Sequence, residues 1–320
     1  MAYITGTAAT PQALFNTLIS FLKTNGALVG LSQQWTEPWT LNSNEMVLKG
    51  PGLSASENIY LGFKYIPDAV SNRYEIRLTG MTGIITGALG YDQHVNPSPD
   101  PVRIFLANQP MQYWFVASGR RFIVVVKVGT VYQSFYGGFF LPYSPPNNYT
   151  YPMFIGGSCG VAGSTSPTGI SDITIAHSLY PFAAFNSITS HDSSAKMLDP
   201  AGQWVRATGQ LGATLTTIGM GPSEQFSGFN TGRTDISDSY GYGNLRSRLE
   251  TGLGSFILTP VTLLQTSPTE QTYGVLQGVN IVTGQGNSSE NIITIAGAQH
   301  LVIQNIFRTA ADQYMTVELV

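Results

Sequence analysis

The run Gly156-Gly157-Ser158-Cys159-Gly160 has the G-x-S-x-G spacing of a nucleophile elbow. That chemistry needs a strand, a sharp turn and then a helix, so that the serine hydroxyl stands clear of the backbone. Met153, Phe154 and Ile155 can supply the strand, but the residues that follow, VAGSTSPTG, cannot form the helix. In a chain with 35 glycines the pattern is expected by chance. His191-Asp192-Ser193 groups the residue types of a catalytic triad. Adjacent residues cannot reach nucleophile–base–orienter geometry among themselves, so the run reads as a turn. His94, His177, His191 and His300 show no i, i+4 metal spacing, and the single Cys159 permits neither an internal disulfide nor a cysteine zinc site. His300 falls at a hairpin and reads as a surface or edge residue.

Glycoside hydrolysis needs two carboxyl groups flanking one bond. Asp92, Glu224, Asp235 and Asp238 are candidates, but no spacing brings a pair together. Asp235-Ile236-Ser237-Asp238 offers oxygen ligands without the spacing of a calcium loop, and reads as a solvated loop. No catalytic residue, metal or cofactor is therefore expected, and the chain is expected not to be an enzyme. Asn148-Tyr149-Thr150 and Asn287-Ser288-Ser289 fit the glycosylation pattern. The N-terminus MAYITGTAATPQ lacks the basic and apolar regions of a signal peptide, so these carry no weight.

Arg120-Arg121 beside Trp114, Phe115 and Phe122 has the residue types of a nucleic-acid patch. A net charge of −3 gives no field to hold a polyanion, so nucleic acid is not an expected partner. Ion pairing at a strand end, or hydrogen bonding at a protein interface, suits the arginine fork better. Aromatic residues in loop-like segments also fit interfaces or stacking on sugars: Tyr143, Tyr149, Tyr151, Tyr180, Phe226, Phe229, Tyr240 and Tyr242. Tyr240, Tyr242, Phe226, Phe229, Arg120 and Arg121 are the expected interface residues.

Charged residues make up 10% of the chain, against about 25% in ordinary soluble domains. Such a surface loses little hydration when a neighbour covers it, which suits a protein that works assembled. No run of about 18 apolar residues exists to span a membrane.

The elements that must position these residues are mostly strands. One helix is expected over residues 11–24: Thr10 caps it, Pro11 takes the first position, Leu14, Leu18 and Leu22 form a stripe, and Asn25-Gly26 stops it. Period-two alternation puts Tyr74, Ile76 and Leu78 on one face of a strand. Residues 121–128, RFIVVVKV, read as a central strand buried on both faces. Further strands are expected at 110–116, 131–141, 153–156, 170–176, 256–264 and 274–283. Residues 291–296 and 300–307 read as a hairpin around Gly297-Ala298-Gln299, and 314–319 closes a meander. The expected fold is mainly β, a sandwich or antiparallel sheets with one N-terminal α-helix. The expected divisions are a helix or arm (1–30), a β-sandwich (31–176), a glycine-rich interaction segment (177–255) and an antiparallel β domain (256–320).

Three stretches carry a resemblance: YWFVASGRRFIVVVKVGTVYQSFYGGFFLPYSPPNNYTYPMFIGGS (113–158), the N-terminal TPQALFNTLISFLKTN with QQWTEPW, VLKGPG and IYLGFKY, and GNSSENIITIAGAQHLVIQNIFRTAADQYMTVEL (286–319). Their overall pattern resembles that of uncharacterised virion structural proteins of tailed bacteriophages. The resemblance implies a virion component of the tail or baseplate, made in a host cytoplasm. Its partners would be copies of itself and other virion proteins, acting through oligomeric contacts. It transfers no site residues. The alternative is an adsorption module, a β-sandwich that binds a host receptor or glycan through loop tyrosines.

Overall fold

The computed structural model describes residues 1–53, 56–70, 72–99, 101–160, 195–208, 217–221, 256–265, 271–311 and 313–319. In chain order the elements begin with β1 (Ala2–Ala8), α1 (Pro11–Thr24), α2 (Gly26–Gly30), β2 (Thr36–Asn42), β3 (Glu45–Gly50), β4 (Ile59–Asp68) and β5 (Arg73–Met81). Then come β6 (Val102–Leu106), β7 (Met111–Ala117), β8 (Arg121–Val128), β9 (Val131–Phe139), β10 (Leu141–Pro142), β11 (Met153–Gly157) and β12 (Cys159–Gly160). The last are β13 (Ala195–Leu198), β14 (Trp204–Thr208), β15 (Thr217–Gly221), β16 (Thr259–Gln265), β17 (Gln271–Val282), β18 (Ile292–Ile295), β19 (Ala298–Gln304) and β20 (Tyr314–Glu318). The fold is mainly β, as the sequence pattern predicts. The expected strand at 170–176 lies outside the described residues.

Helix α1 has the predicted bounds. Thr10 Oγ1 accepts the Ala13 N–H at 3.2 Å, satisfying one of the orphan donors of the first turn, and Pro11 occupies the first position. Its apolar stripe is buried: Leu14, Phe15, Leu18 and Leu22. The stop differs from expectation. Asn25 is extended (φ −60°, ψ 128°) rather than left-handed, and its side chain accepts the Ala27 N–H at 3.0 Å. It ends α1 by capping α2.

Two sheets form. The smaller runs β12-β6-β5-β4-β3-β2. The larger has fourteen strands, running β1-β7-β8-β9-β11-β13-β14-β15-β16-β17-β20-β19-β18, with β10 paired to β17 off that path. It therefore draws strands from both ends of the chain. Strand β8 shows why the sheet can do this. Its even-numbered residues Phe122, Val124 and Val126 join one core, with Phe63, Ile76, Leu78 and the stripe of α1. Its odd-numbered Ile123 and Val125 join a second core, with Val261, Leu276, Val279, Ile303, Met315 and Val317. A strand apolar on both faces must be covered twice. The small sheet and α1 cover one face; the β16–β20 end of the same long sheet folds back over the other. The molecule is a three-layer β-sandwich whose middle layer is the β7–β8–β9 region.

At the C-terminal end β20 lies between β17 and β19, paired antiparallel with both. This corrects the simple meander to a Greek-key order, in which the 283–291 connection carries the chain past two strand positions before β18, β19 and β20 return as neighbours. The hairpin turn is tighter and earlier than predicted. Ile295 pairs with Ala298, and Ala296 (φ 51°) and Gly297 (φ 86°) make a two-residue turn with both φ positive.

Candidate assembly surface

The structure describes three of the residues singled out for possible chemistry, Ser158, His94 and His300. Ser158 follows a strand but precedes another, β12, instead of a helix. It is fully buried, and its Oγ accepts the Ser134 backbone N–H at 2.7 Å. The hydroxyl is a structural acceptor between strands. His94 is buried edge-on to Trp39, with ring centroids 5.0 Å apart, and its Nδ1 accepts the Ile85 N–H at 3.1 Å. Burial lowers its pKa from the ordinary 6.5, against a smaller opposing pull from Asp92. His300 corrects the sequence reading. It is buried, not a surface residue, because it lies within β19 between Ile293 and Glu318 on the flanking strands. Burial lowers its pKa too, opposed by Glu318. Among the described residues no group of three or more His, Cys, Asp or Glu side chains converges on a metal position. His177, His191, Glu224, Asp235 and Asp238 lie outside the described residues.

Of the predicted interface residues, Tyr240, Tyr242, Phe226 and Phe229 also lie outside the described residues, as does Tyr180. Arg120 and Arg121 part company at the start of β8. Arg120 pairs with Glu57 at 2.8 Å and lies over the Phe139 ring, an ion pair at a strand end. Arg121 is 2% exposed and points into the second core. Its side chain is thus no part of an open surface, and alternation along β8 dictates that. Of the loop tyrosines, Tyr143 is 61% exposed. Tyr149 instead belongs to the second core, its hydroxyl donating to the Leu198 carbonyl, and Tyr151 packs against the first. The signal for Tyr149 was available: an aromatic between two strands has a core on either side to enter.

The surface features that remain are the ends of the sheets. A sheet edge is a row of unpaired N–H and C=O groups, which proteins blunt with charge, proline or bulges. Edge strand β2 of the small sheet has all three: Glu37, Pro38, and register shifts at Thr36/Trp39 and Thr40/Asn42. The terminal strands of the long sheet have none of them. β1 (AYITGTA) pairs with β7 in unbroken register from Ala2↔Ala117 to Ala8↔Met111. β18 (IITI) pairs with β19 in unbroken register and leaves Ile292 47% exposed. Neither contains a charged residue. An open groove of about 420 Å³ runs beside β1, floored by Ile4 and Phe21 and walled by Asn16, Thr17, Ser20 and Thr24 of α1.

Sequence reasoning missed this surface because it did not identify β1. Residues 2–8 are mostly polar or small, with a weak period-two pattern, and they become a strand by pairing with the strongly apolar β7. Among the described residues, no helix is long and apolar enough to cross a membrane. In comparisons with known proteins, no family model and no curated protein matches the chain.

Proposed function

We propose that this chain is a structural component of a tailed-phage virion, in the tail or baseplate, which works through contacts between its own copies and with neighbouring virion proteins. One observation carries the reading: among the described residues the long sheet ends in two edge strands without charge, proline or register shift, while the β2 edge of the small sheet has all three. A protein that works alone gains nothing from leaving two such edges open. Two different edges at opposite ends of one sheet favour head-to-tail pairing, β18 of one copy in the groove beside β1 of the next. Repeated, that contact generates a ring or a stack rather than an isolated pair. The low charge of the chain and the resemblance of its terminal and central stretches to virion proteins support the same reading.

Two measurements test it. Mass spectrometry of purified virions from the source phage is expected to find the chain in multiple copies; its absence sinks the virion assignment. Sedimentation of the purified protein is expected to show an oligomer that Ile292→Lys and Thr7→Lys each dissociate, since a lysine on either edge places an unpaired charge in the joint. A monomer across the micromolar range, or an oligomer indifferent to both substitutions, sinks the edge mechanism.

A further inference from the structure

Arg121 enters the second core from the first residue of β8 and is 2% exposed. Its Nη2 reaches the sulfur of Met1 at 3.6 Å. Its Nε and Nη1 have no hydrogen-bond partner, and no carboxylate pairs with it among the described residues. The backbone holds it there. Gly138, opposite Arg121 on β9, has φ 124°, and a Cβ on it would lie 2.7 Å from the Arg121 Cα. Gly278 on β17 has φ 77°, and a Cβ there would fall 2.5 Å from Nη2. Gly278 thus clears the space the guanidinium occupies, and Gly138 lets β9 pass close to the Arg120 and Arg121 backbone. The Tyr136 phenol shares this pocket: burial pushes its pKa up to about 12, and the charges of Arg121 and Arg120 pull the other way.

Arginine cannot shed its charge, and a buried cation with unmade hydrogen bonds is disfavoured unless an acceptor of opposite charge is supplied. A thioether is a weak acceptor, and Nη2 is the nitrogen common to both edges of the guanidinium fork. We propose that Arg121 is the floor of a carboxylate-binding site, in which a carboxylate displaces the Met1 sulfur and bridges Nη2 and its neighbouring nitrogen. The carboxylate comes either from a small free acid or from an acidic side chain of an adjoining chain. The site stands independently of edge pairing, since Arg121 is on neither edge strand.

The test is a titration of the protein with sodium acetate, against sodium chloride at equal ionic strength, followed by thermal unfolding and by the NMR signals of arginine Nε. Acetate is expected to raise Tm by about 2–3 °C per tenfold rise in concentration above half-saturation, and to move one Nε signal saturably. In Arg121→Met both effects are expected to vanish while the chloride curve stays as it was. Acetate located in a crystal structure within hydrogen-bond distance of the Arg121 fork gives the same answer without a variant, should that substitution fail to fold. Protein concentration separates the sources. A free acid binds dilute and assembled protein alike, whereas a neighbour's carboxylate already fills the site in the assembled form and leaves acetate active on dilute protein alone. No acetate-specific rise in Tm and no saturable Nε shift at any protein concentration, or an acetate effect that Arg121→Met retains, overturns the proposal.

Discussion

Glu290 is expected to clasp the C-terminal layer onto the middle one, and its removal can be worked out in some detail. The Lys127 ammonium and the Tyr132 hydroxyl both donate to the same oxygen, Glu290 Oε1, and the Lys127 ammonium lies over the Tyr132 ring. Lys127 and Tyr132 are on β8 and β9, whereas Glu290 lies just before β18, so the three groups join two layers far apart in sequence. Hydrogen bonds to a charged group contribute about 1.5–3 kcal/mol when sequestered, and an exposed ion pair about 0–1 kcal/mol. The side chains of Lys127 and Glu290 are 31% and 32% exposed, which places each contact near the lower end. Glu290→Ala is expected to cost about 2 kcal/mol, and Tyr132→Phe about 1 kcal/mol. Their double variant should fall short of the sum by about 1 kcal/mol, because the same bond is lost in both. Glu290 also has φ 72°, in the left-handed region that side chains disfavour by about 1–2 kcal/mol. Glycine relieves that cost but makes the unfolded chain freer, by about 0.4–1 kcal/mol. Glu290→Gly should thus be less damaging than Glu290→Ala by roughly 0.5–1 kcal/mol.

The clasp has a pH signature. Burial alone would raise the Glu290 carboxyl, but the hydrogen bonds from Lys127 and Tyr132 and the lysine charge outweigh it, so the pKa lies below the ordinary 4.5. A depressed folded-state pKa gives stability that is complete above the unfolded value and fades as pH falls through the folded one. Urea unfolding at pH 7 and on stepping down below pH 4.5 measures both effects, with Glu290→Gln losing the acid-dependent part. A Glu290→Ala variant within 0.3 kcal/mol of the parent, or strict additivity with Tyr132→Phe, would refute the clasp.

Two other perturbations have defined signs. His94 and His300 are buried with pKa values below 6.5, so below that pH the unfolded chain takes up protons that the folded one refuses. Stability should fall on acidification from pH 6.5 toward each folded pKa, by up to about 1.4 kcal/mol per pH unit per histidine; a flat urea midpoint between pH 7 and pH 5 would contradict this. Gly138→Ala puts a Cβ 2.3 Å from the Arg120 carbonyl oxygen at φ 124°, contacts with backbone that cannot yield. A loss of more than about 3 kcal/mol is expected by thermal unfolding, and a near-neutral result would mean that β8 and β9 are not held in this register.

The parts of this fold that were legible in sequence are those set by local chemistry. Thr10, Pro11 and the Leu14–Leu18–Leu22 stripe fix α1 to the residue, and the unbroken apolar run 121–128 announces a strand covered on both faces. What covers those faces was not legible. Nothing local in Val261, Val279 or Met315 says that they pack on Ile123 and Val125, more than a hundred residues away. The order β17-β20-β19-β18 was likewise hidden, because each strand in it alternates correctly whichever neighbour it takes. Arg120 and Arg121 show the limit at a candidate site. Their types and position were plain, but period two sends one to Glu57 and the other into a core, and which of the two would begin the strand was not legible locally.

That second core also bears on why the edges stay open. Because β8 is apolar on both faces, the long sheet must fold back over itself, and its final strands are committed to covering Ile123 and Val125. A sheet folded this way could remove its edges by joining β18 to β1. Here β10 pairs with β17 and the Tyr132 N–H donates to the Ile306 carbonyl at 3.1 Å, so the two halves are stitched together partway along. Strands β18 and β1 are left as the ends of the sheet. Closure is stopped short of the edges, and the edges have none of the charge, proline or bulge that protects β2. Among the described residues these two facts would be a liability in an isolated copy, and the head-to-tail pairing proposed above would turn them to use, since it sets the end strand of one copy against the end strand of the next.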